Sequence, residues 1–379
     1  MCKHMSVLLL CTFFLLPVLS QTVKSATELY EEGIQLKEEG KCKEAIEMYK
    51  AALAKTADYT DALYETGWCY NELENYKDAI TFLSKAKQNE PSLAKICFEL
   101  GYAYENNDNK EEAISNYKKT LELAADYYTA AQRLGDIYYK EEDYENAVTY
   151  YKIYVNGAEE PDNVYYYKTG WGLNDLEQYE DAVTYLEKYE PEAADEQAKK
   201  WVEIGYAHYK SKEYELAVID YSKAIELKPG YGSAIRGIGD SYYDQEDYDN
   251  ALRYYKQAVE QDEEHSKSCY YKLGWIYNDK ENYNAAIAVL QKATEYDEKD
   301  AGNREELGYA YYMTDKYDNA IEQLNKAIEL DEKSKLGYYY KGLCYVALND
   351  KTSARAVYEK LKTVNAEQAE KLLKKINGE

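Results

Sequence analysis

A chain of 379 residues with 46 basic and 71 acidic side chains carries a net charge of −25, a field that repels nucleic acid and anionic lipid surfaces. Only five of the basic residues are Arg, the type best shaped to grip phosphate. Hydrophobic residues make up 45%, which excludes a disordered tail, and 47 Tyr against 4 Phe suit a thin structure whose rings pack while their hydroxyls stay wet.

The chain opens on a short basic stretch, Lys3 and His4, followed by the uncharged run Ser6 to Leu19. Val18 and Ser20 stand three residues and one residue before a cleavage point at Gln21, so residues 1–20 are expected to be a cleaved secretory signal. The run contains Pro17 and is too short to span a bilayer comfortably, so no stable membrane span is expected after cleavage. Neither Cys2 nor Cys11 stands where a lipidated cysteine should. The mature chain is then expected in a periplasmic or secreted setting. The absence of any Asn-x-Ser/Thr site favours bacterial export. Residues 21–25 read as a short linker.

From residue 26 the chain repeats itself. Gly recurs at 33, 67, 101, 135, 170, 205, 239, 274, 308 and 342, always 34 or 35 residues apart. Twelve residues after each Gly stands an Ala, from Ala45 to Ala354, and sixteen after it a Tyr or Leu, from Tyr49 to Tyr358. Each period reads as two helices. In the second, Leu63, Tyr70 and Leu73 mark a first stripe, Glu74-Asn75 break it, and Tyr76, Ala79, Ile80, Leu83 and Ala86 form the next stripe, closed by Pro91. Gly67 and Ala79 are read as small because two helix axes cross closely there. One such pair cannot bury both its stripes, so units must stack on their neighbours.

This pattern closely resembles the tetratricopeptide repeat, through Trp201, Ile204-Gly205, His208, Ala217, Tyr221, Ala224 and Pro229, and again through Leu134-Gly135, Tyr138, Ala147 and Tyr151. Lys110 and Lys351 depart from it by replacing the aromatic that opens a second helix. The resemblance implies an all-α fold: a right-handed α-solenoid, or superhelix, of about ten repeats over residues 26–365. The tail from 366 to 379 reads as a capping helix, with Leu372, Leu373 and Ile376 on one side and Lys and Glu on the other.

A longer period lies over the first. Gly67-Trp68, Gly170-Trp171 and Gly274-Trp275 are each followed three residues later by Asn71, Asn174 and Asn278. The next repeats carry Gly-Tyr-Ala at 101, 205 and 308, and the ones after carry Gly-Asp at 135 and 239, with Gly342-Leu343 breaking the series. These triplets start 103 and 104 residues apart, which points to triplication of a three-repeat block.

In the resembled family, the residue after the Gly, with those four before and three after it, lines the concave groove. Carried over, the groove here holds Tyr64, Trp68 and Asn71, then Phe98 and Tyr102, then Asp136 and Tyr139. It continues with Tyr167, Trp171 and Asn174, then Tyr206 and Tyr209, then Asp240 and Tyr243. It ends with Tyr271, Trp275 and Asn278, then Tyr309 and Tyr312. Flat rings interleaved with amides and carboxylates suit partner contact. They also suit packing on the next helix, and both readings stay open here. The family's basic clamp for a C-terminal carboxylate is not present, because Ile34, Trp68 and Tyr102 occupy its place.

Catalytic signatures are missing: there is no GxSxG elbow, no HExxH, no phosphate-cradling Gly loop and no Cys/His pair at workable spacing. Three His offer no zinc-ligand spacing, and no cofactor or metal is expected. The cysteines at 42, 69, 97, 269 and 344 sit at packing-type positions and read as structural. The expected function is a non-enzymatic scaffold binding a protein or peptide, the alternative being a glycan or small-ligand binder that uses the same Trp and Tyr faces.

Overall fold

A computed structural model describes residues 24–379, which contain helices and no strand. The signal expected at residues 1–20 lies outside the described residues. The chain divides into two compact units, with the boundary between Glu141 and Glu142, inside the fourth repeat. The first contains the hairpins α1 (Ala26–Glu38) with α2 (Cys42–Lys55), α3 (Thr60–Glu72) with α4 (Tyr76–Asn89), and α5 (Ala94–Asn106) with α6 (Lys110–Leu123), followed by α7 (Tyr128–Lys140).

The second unit begins with α8 (Tyr144–Gly157) and the hairpins α9 (Val164–Asp175) with α10 (Tyr179–Lys188), and α11 (Ala194–Lys210) with α12 (Tyr214–Leu227). Next come α13 (Gly232–Asp244) with α14 (Tyr248–Gln261) and a four-residue turn of helix, α15 (Glu263–Ser266). The hairpins α16 (Cys269–Asp279) with α17 (Tyr283–Tyr296), α18 (Ala301–Met313) with α19 (Tyr317–Leu330), and α20 (Lys335–Ala347) with α21 (Lys351–Val364) follow. A last helix, α22 (Ala366–Asn377), closes the chain.

The Gly and Ala register explains the hairpins. A Cβ placed on Gly67 would sit 2.5 Å from Leu83 Cγ and 3.3 Å from the carbonyl oxygen of Ala79. The glycine is thus required by the side chain sixteen residues on, and the small Ala lets the second backbone come close enough to deliver it. Gly308 stands in the same relation to Leu324. At Gly342 the role passes from α21 to α22, because the space of the missing Cβ is filled by Leu372. Leu372, Ile376 and Ala369 of α22 are buried against Val357, Tyr358 and Leu361 of α21.

The turn inside a hairpin is closed by one residue in the left-handed region. In the first hairpin this is Gly40, but elsewhere it is Glu74, Asp108, Lys212, Glu246, Glu281, Asp315 or another side-chain-bearing residue, with φ from 57° to 63°. The hydrogen bonds are those of a Schellman motif: Asn75 N donates to Tyr70 O and Glu74 N to Asn71 O, both at 2.9 Å.

Not every tyrosine keeps a wet hydroxyl. Tyr49, Tyr117, Tyr151 and Tyr255 are fully buried. The Tyr117 hydroxyl donates to Glu105 at 2.7 Å, and that of Tyr255 donates to Asp240 at 2.7 Å. A carboxylate inside the hairpin replaces water, and burial together with that negative charge pushes both phenols far above their ordinary pKa. Fully burying a large apolar side chain stabilises by about 1.5–3 kcal/mol, so these rings form the centre of their hairpin cores, a place taken by Leu83, Leu186, Leu290 and Leu324 in others.

Candidate functional site

The residues expected to line the groove all fall on the first helix of a hairpin, and the three asparagines share one environment. Asn71 is 3% exposed, Asn174 4% and Asn278 5%. Each donates its side-chain amide to a glutamate on the next first helix. Asn71 reaches the carbonyl and carboxylate of Glu99 at 3.1 and 2.9 Å, and Asn174 those of Glu203 at 3.1 and 3.2 Å. Asn278 reaches those of Glu306 at 3.1 and 2.8 Å. The amide therefore fastens neighbouring first helices together, while its Oδ1 is buried without a hydrogen-bond partner in all three copies. Desolvation pushes the three glutamates above the ordinary carboxylate range, and the asparagine hydrogen bond pulls them part of the way back.

In the first unit the expected aromatics are covered by the chain's own cations. Lys37 Nζ lies 5.0 Å from the centre of the Trp68 ring, and Lys95 Nζ 4.4 Å from that of Tyr64. The guanidinium of Arg133 lies 5.3 Å from the Tyr102 ring and 3.8 Å from a carboxylate oxygen of Glu105. Phe98 packs on Tyr127, 4.7 Å between ring centres. Asp136 and Tyr139 are half-buried on α7.

In the second unit the same frame opens into two clefts. One, of about 400 Å³, is lined by Trp171, Asn174 and Asp175 of α9, Glu203, Tyr206 and Tyr209 of α11, and Arg236 and Asp240 of α13. The other, of about 340 Å³, is lined by Trp275, Asn278 and Asp279 of α16, Glu305, Glu306 and Tyr309 of α18, and Leu336 and Tyr340 of α20, together with Glu281 and Tyr283. Trp171, Asn174, Asp175, Glu203 and Tyr206 correspond to Trp275, Asn278, Asp279, Glu306 and Tyr309 at the triplet spacing.

Other expected positions are brought in only partly. Asp240 accepts from Tyr255 and, at 2.6 Å, from Lys272 Nζ, so its charge is matched within the fold. Tyr209 donates its hydroxyl to Asp244 at 2.8 Å. Tyr167 packs on Tyr189, and Tyr243 packs edge-on against Trp275. Tyr312 lies 5.7 Å from Tyr340, and Tyr271 is exposed. The carboxylates of Glu203 and Glu306 were not among the expected site residues, although they too recur two residues before Gly205 and Gly308. Two other hollows, beside Lys110 and Glu141 and beside Lys292 and Glu263, are lined by surface ion pairs.

No group of three or more metal-ligating side chains exists among the described residues. Cys42, Cys69, Cys97, Cys269 and Cys344 are free thiols. Burial pushes Cys269 and Cys344 up to about 12, which removes them from thiolate chemistry at neutral pH.

Profiles described as tetratricopeptide repeat match residues 30–94, 98–163, 198–231 and 230–299. The chain is a tetratricopeptide-repeat protein. Residues 279–361 of this repeat protein are also similar to the profile described as anaphase-promoting complex, cyclosome, subunit 3. No curated protein matches it.

Solved structures similar to it include YrrB, described as a TPR protein with an unusual peptide-binding site. That match has 24% identity over 47% of this chain and 92% of that one, with a TM-score of 0.45. Naa15/Naa10 bound to HypK-THB matches at 15% identity over 90% of this chain and 64% of that one, with a TM-score of 0.49. MamA from Desulfovibrio magneticus RS-1 matches at 20% identity over 45% of this chain and 97% of that one, with a TM-score of 0.41. No helix among the described residues is long and apolar enough to cross a membrane.

Proposed function

We propose that this repeat protein is a non-enzymatic scaffold that holds a protein or peptide partner against the first helices of its hairpins. The observation that carries the reading is the recurrence of one cleft at the triplet spacing, with Trp171 and Trp275 as matching walls. Aromatic walls give large contact area at low entropic cost, and repetition lets one extended ligand engage two equivalent sites with a gain from linkage. The signal-like run at residues 1–20 supports an extracytoplasmic setting.

A glycan-binding reading receives less support. It calls for free amide donors beside the rings, whereas Asn71, Asn174 and Asn278 donate theirs to glutamates.

In-cell cross-linking and mass spectrometry identifies the partner, and a pull-down from the same cells measures the dependence on the clefts. The double substitution Trp171→Ala and Trp275→Ala is expected to abolish retention while leaving helix content intact. Unchanged retention refutes the cleft reading.

A further inference from the structure

The third copy of the repeated frame lacks the cations that the earlier copies supply from within the chain. In the first, Lys37, Lys95 and Arg133 lie over Trp68, Tyr64 and Tyr102. In the second, Arg236 lines the cleft that holds Tyr206 and Glu203. Counted from the repeat glycines, the third copy has Tyr243 in place of Lys37, Gly302 in place of Lys95 and Tyr340 in place of Arg133. Tyr339 stands at the position of Arg236.

What is left is an aromatic and anionic box. Trp275, Tyr283, Tyr309 and Tyr340 wall a cleft of about 340 Å³ that also presents Asp279, Glu281, Glu305 and Glu306. Glu306 accepts from Asn278, and Glu305 accepts from the Ser334 hydroxyl. None of the four carboxylates has an ion-pair partner among the described residues. Three basic side chains adjacent in sequence have other surroundings. Arg304 donates to the Glu298 carbonyl and to Gln323, Lys280 pairs with Asp249 at 2.6 Å, and Lys341, half-buried and lowered by that burial, is attracted by Glu329. Asn278 lines the same cleft at 5% exposure with its Oδ1 unpartnered.

Ring faces and carboxylates attract a cation more strongly as water is excluded. We propose that this cleft takes a cationic side chain, a lysine or arginine carried by a basic peptide or protein partner. The proposal rests on the scaffold reading above and gives that partner its chemistry. An arriving cation does for Glu306 and Tyr309 what Arg133 does for Glu105 and Tyr102 in the first unit.

The test uses the full chain and three probes: a fluorescent nonapeptide of alternating Lys and Gly, its counterpart with norleucine for lysine, and spermidine. The lysine peptide is expected to bind about tenfold or more tightly than the norleucine one, a difference of the size that ring-cation contacts give. Tyr340→Arg installs the arginine of the first copy. It should weaken the lysine peptide about tenfold with unchanged helix content by circular dichroism.

Asp279→Asn with Glu281→Gln, both on exposed residues, provides a second variant that spares the hairpin core and should weaken binding in the same direction. Equal binding of the two peptides, or full binding by Tyr340→Arg, overturns the proposal. Spermidine bound with no peptide bound overturns it as well, by assigning the box to a free polyamine. If the lysine peptide does not bind but cell-derived partners still depend on Trp171 and Trp275, the cationic inference falls and the scaffold reading stands. Loss of both removes the two together.

Discussion

Asn278 donates one amide group to two oxygens of Glu306, the main-chain carbonyl at 3.1 Å and the carboxylate at 2.8 Å. Because the two residues belong to consecutive first helices, this bond sets how one repeat seats on the next. Asn278→Ala leaves both acceptors without their donor in a half-buried site, and is expected to cost about 1–3 kcal/mol. Urea denaturation checks this. Asn278→Asp should cost more than Ala at about pH 7 and recover at about pH 4, since it sets a second carboxylate against the first.

The three glutamates that accept these bonds give the fold a pH dependence. Desolvation raises Glu99, Glu203 and Glu306 above the ordinary value of 4.5. The folded chain then holds these protons more tightly than the unfolded chain. The destabilisation from ionising them is complete above the folded pKa and gone below the unfolded one, so their contribution improves as pH falls through that window. Replacing all three by Gln should stabilise the chain relative to the parent more at about pH 7.5 than at about pH 4.5. An offset in urea midpoint that does not change with pH rules out desolvation as the cause.

Gly308 and Gly170 separate two kinds of close approach. The three atoms nearest a Cβ on Gly308 all belong to the Leu324 side chain, with Cγ at 2.6 Å and Cδ2 at 2.7 Å. A Cβ on Gly170 meets Leu186 Cγ at 2.5 Å and the backbone oxygen of Ala182 at 3.0 Å. Either Gly→Ala change should cost about 1–3 kcal/mol through overpacking. Adding Leu324→Ala should offset much of the first, whereas adding Leu186→Ala should offset less of the second. A double-mutant cycle at each site reads the difference.

Lys212 holds a left-handed turn with φ of 63°. Lys212→Gly removes the crowding of Cβ in that conformation and is expected to raise stability by roughly 0.5–1 kcal/mol, net of the extra freedom of the unfolded chain. A thermal melt measures it. The same change at Lys210, the last residue of α11, should lower stability.

The hairpins were legible in the sequence because Gly67, Ala79 and Leu83 obey one steric rule that recurs at Gly33, Gly101, Gly170, Gly205, Gly239, Gly274 and Gly308. The turns were not legible in the same detail. Left-handed backbone is usually signalled by glycine, and Glu74, Asp108 and Lys212 adopt it without that signal. In the candidate site, the Trp68, Trp171 and Trp275 positions stood out as rare residues at a long spacing. Glu99, Glu203 and Glu306 recur just as regularly. They were hidden among 71 acidic residues, most of which need no explanation beyond solvation. The burial of Tyr117 and Tyr255 was also hidden, since only the folded hairpin brings Glu105 and Asp240 to their hydroxyls.

With Leu372 seated under Gly342, the slot that would receive another hairpin on this side of the last repeat is already taken. Lengthening the protein by adding copies at its end would first have to evict α22 and expose the greasy flank of α21. Insertion of whole blocks upstream leaves that terminus untouched. Trp68, Trp171 and Trp275, at intervals of 103 and 104 residues, all lie in blocks upstream of that slot.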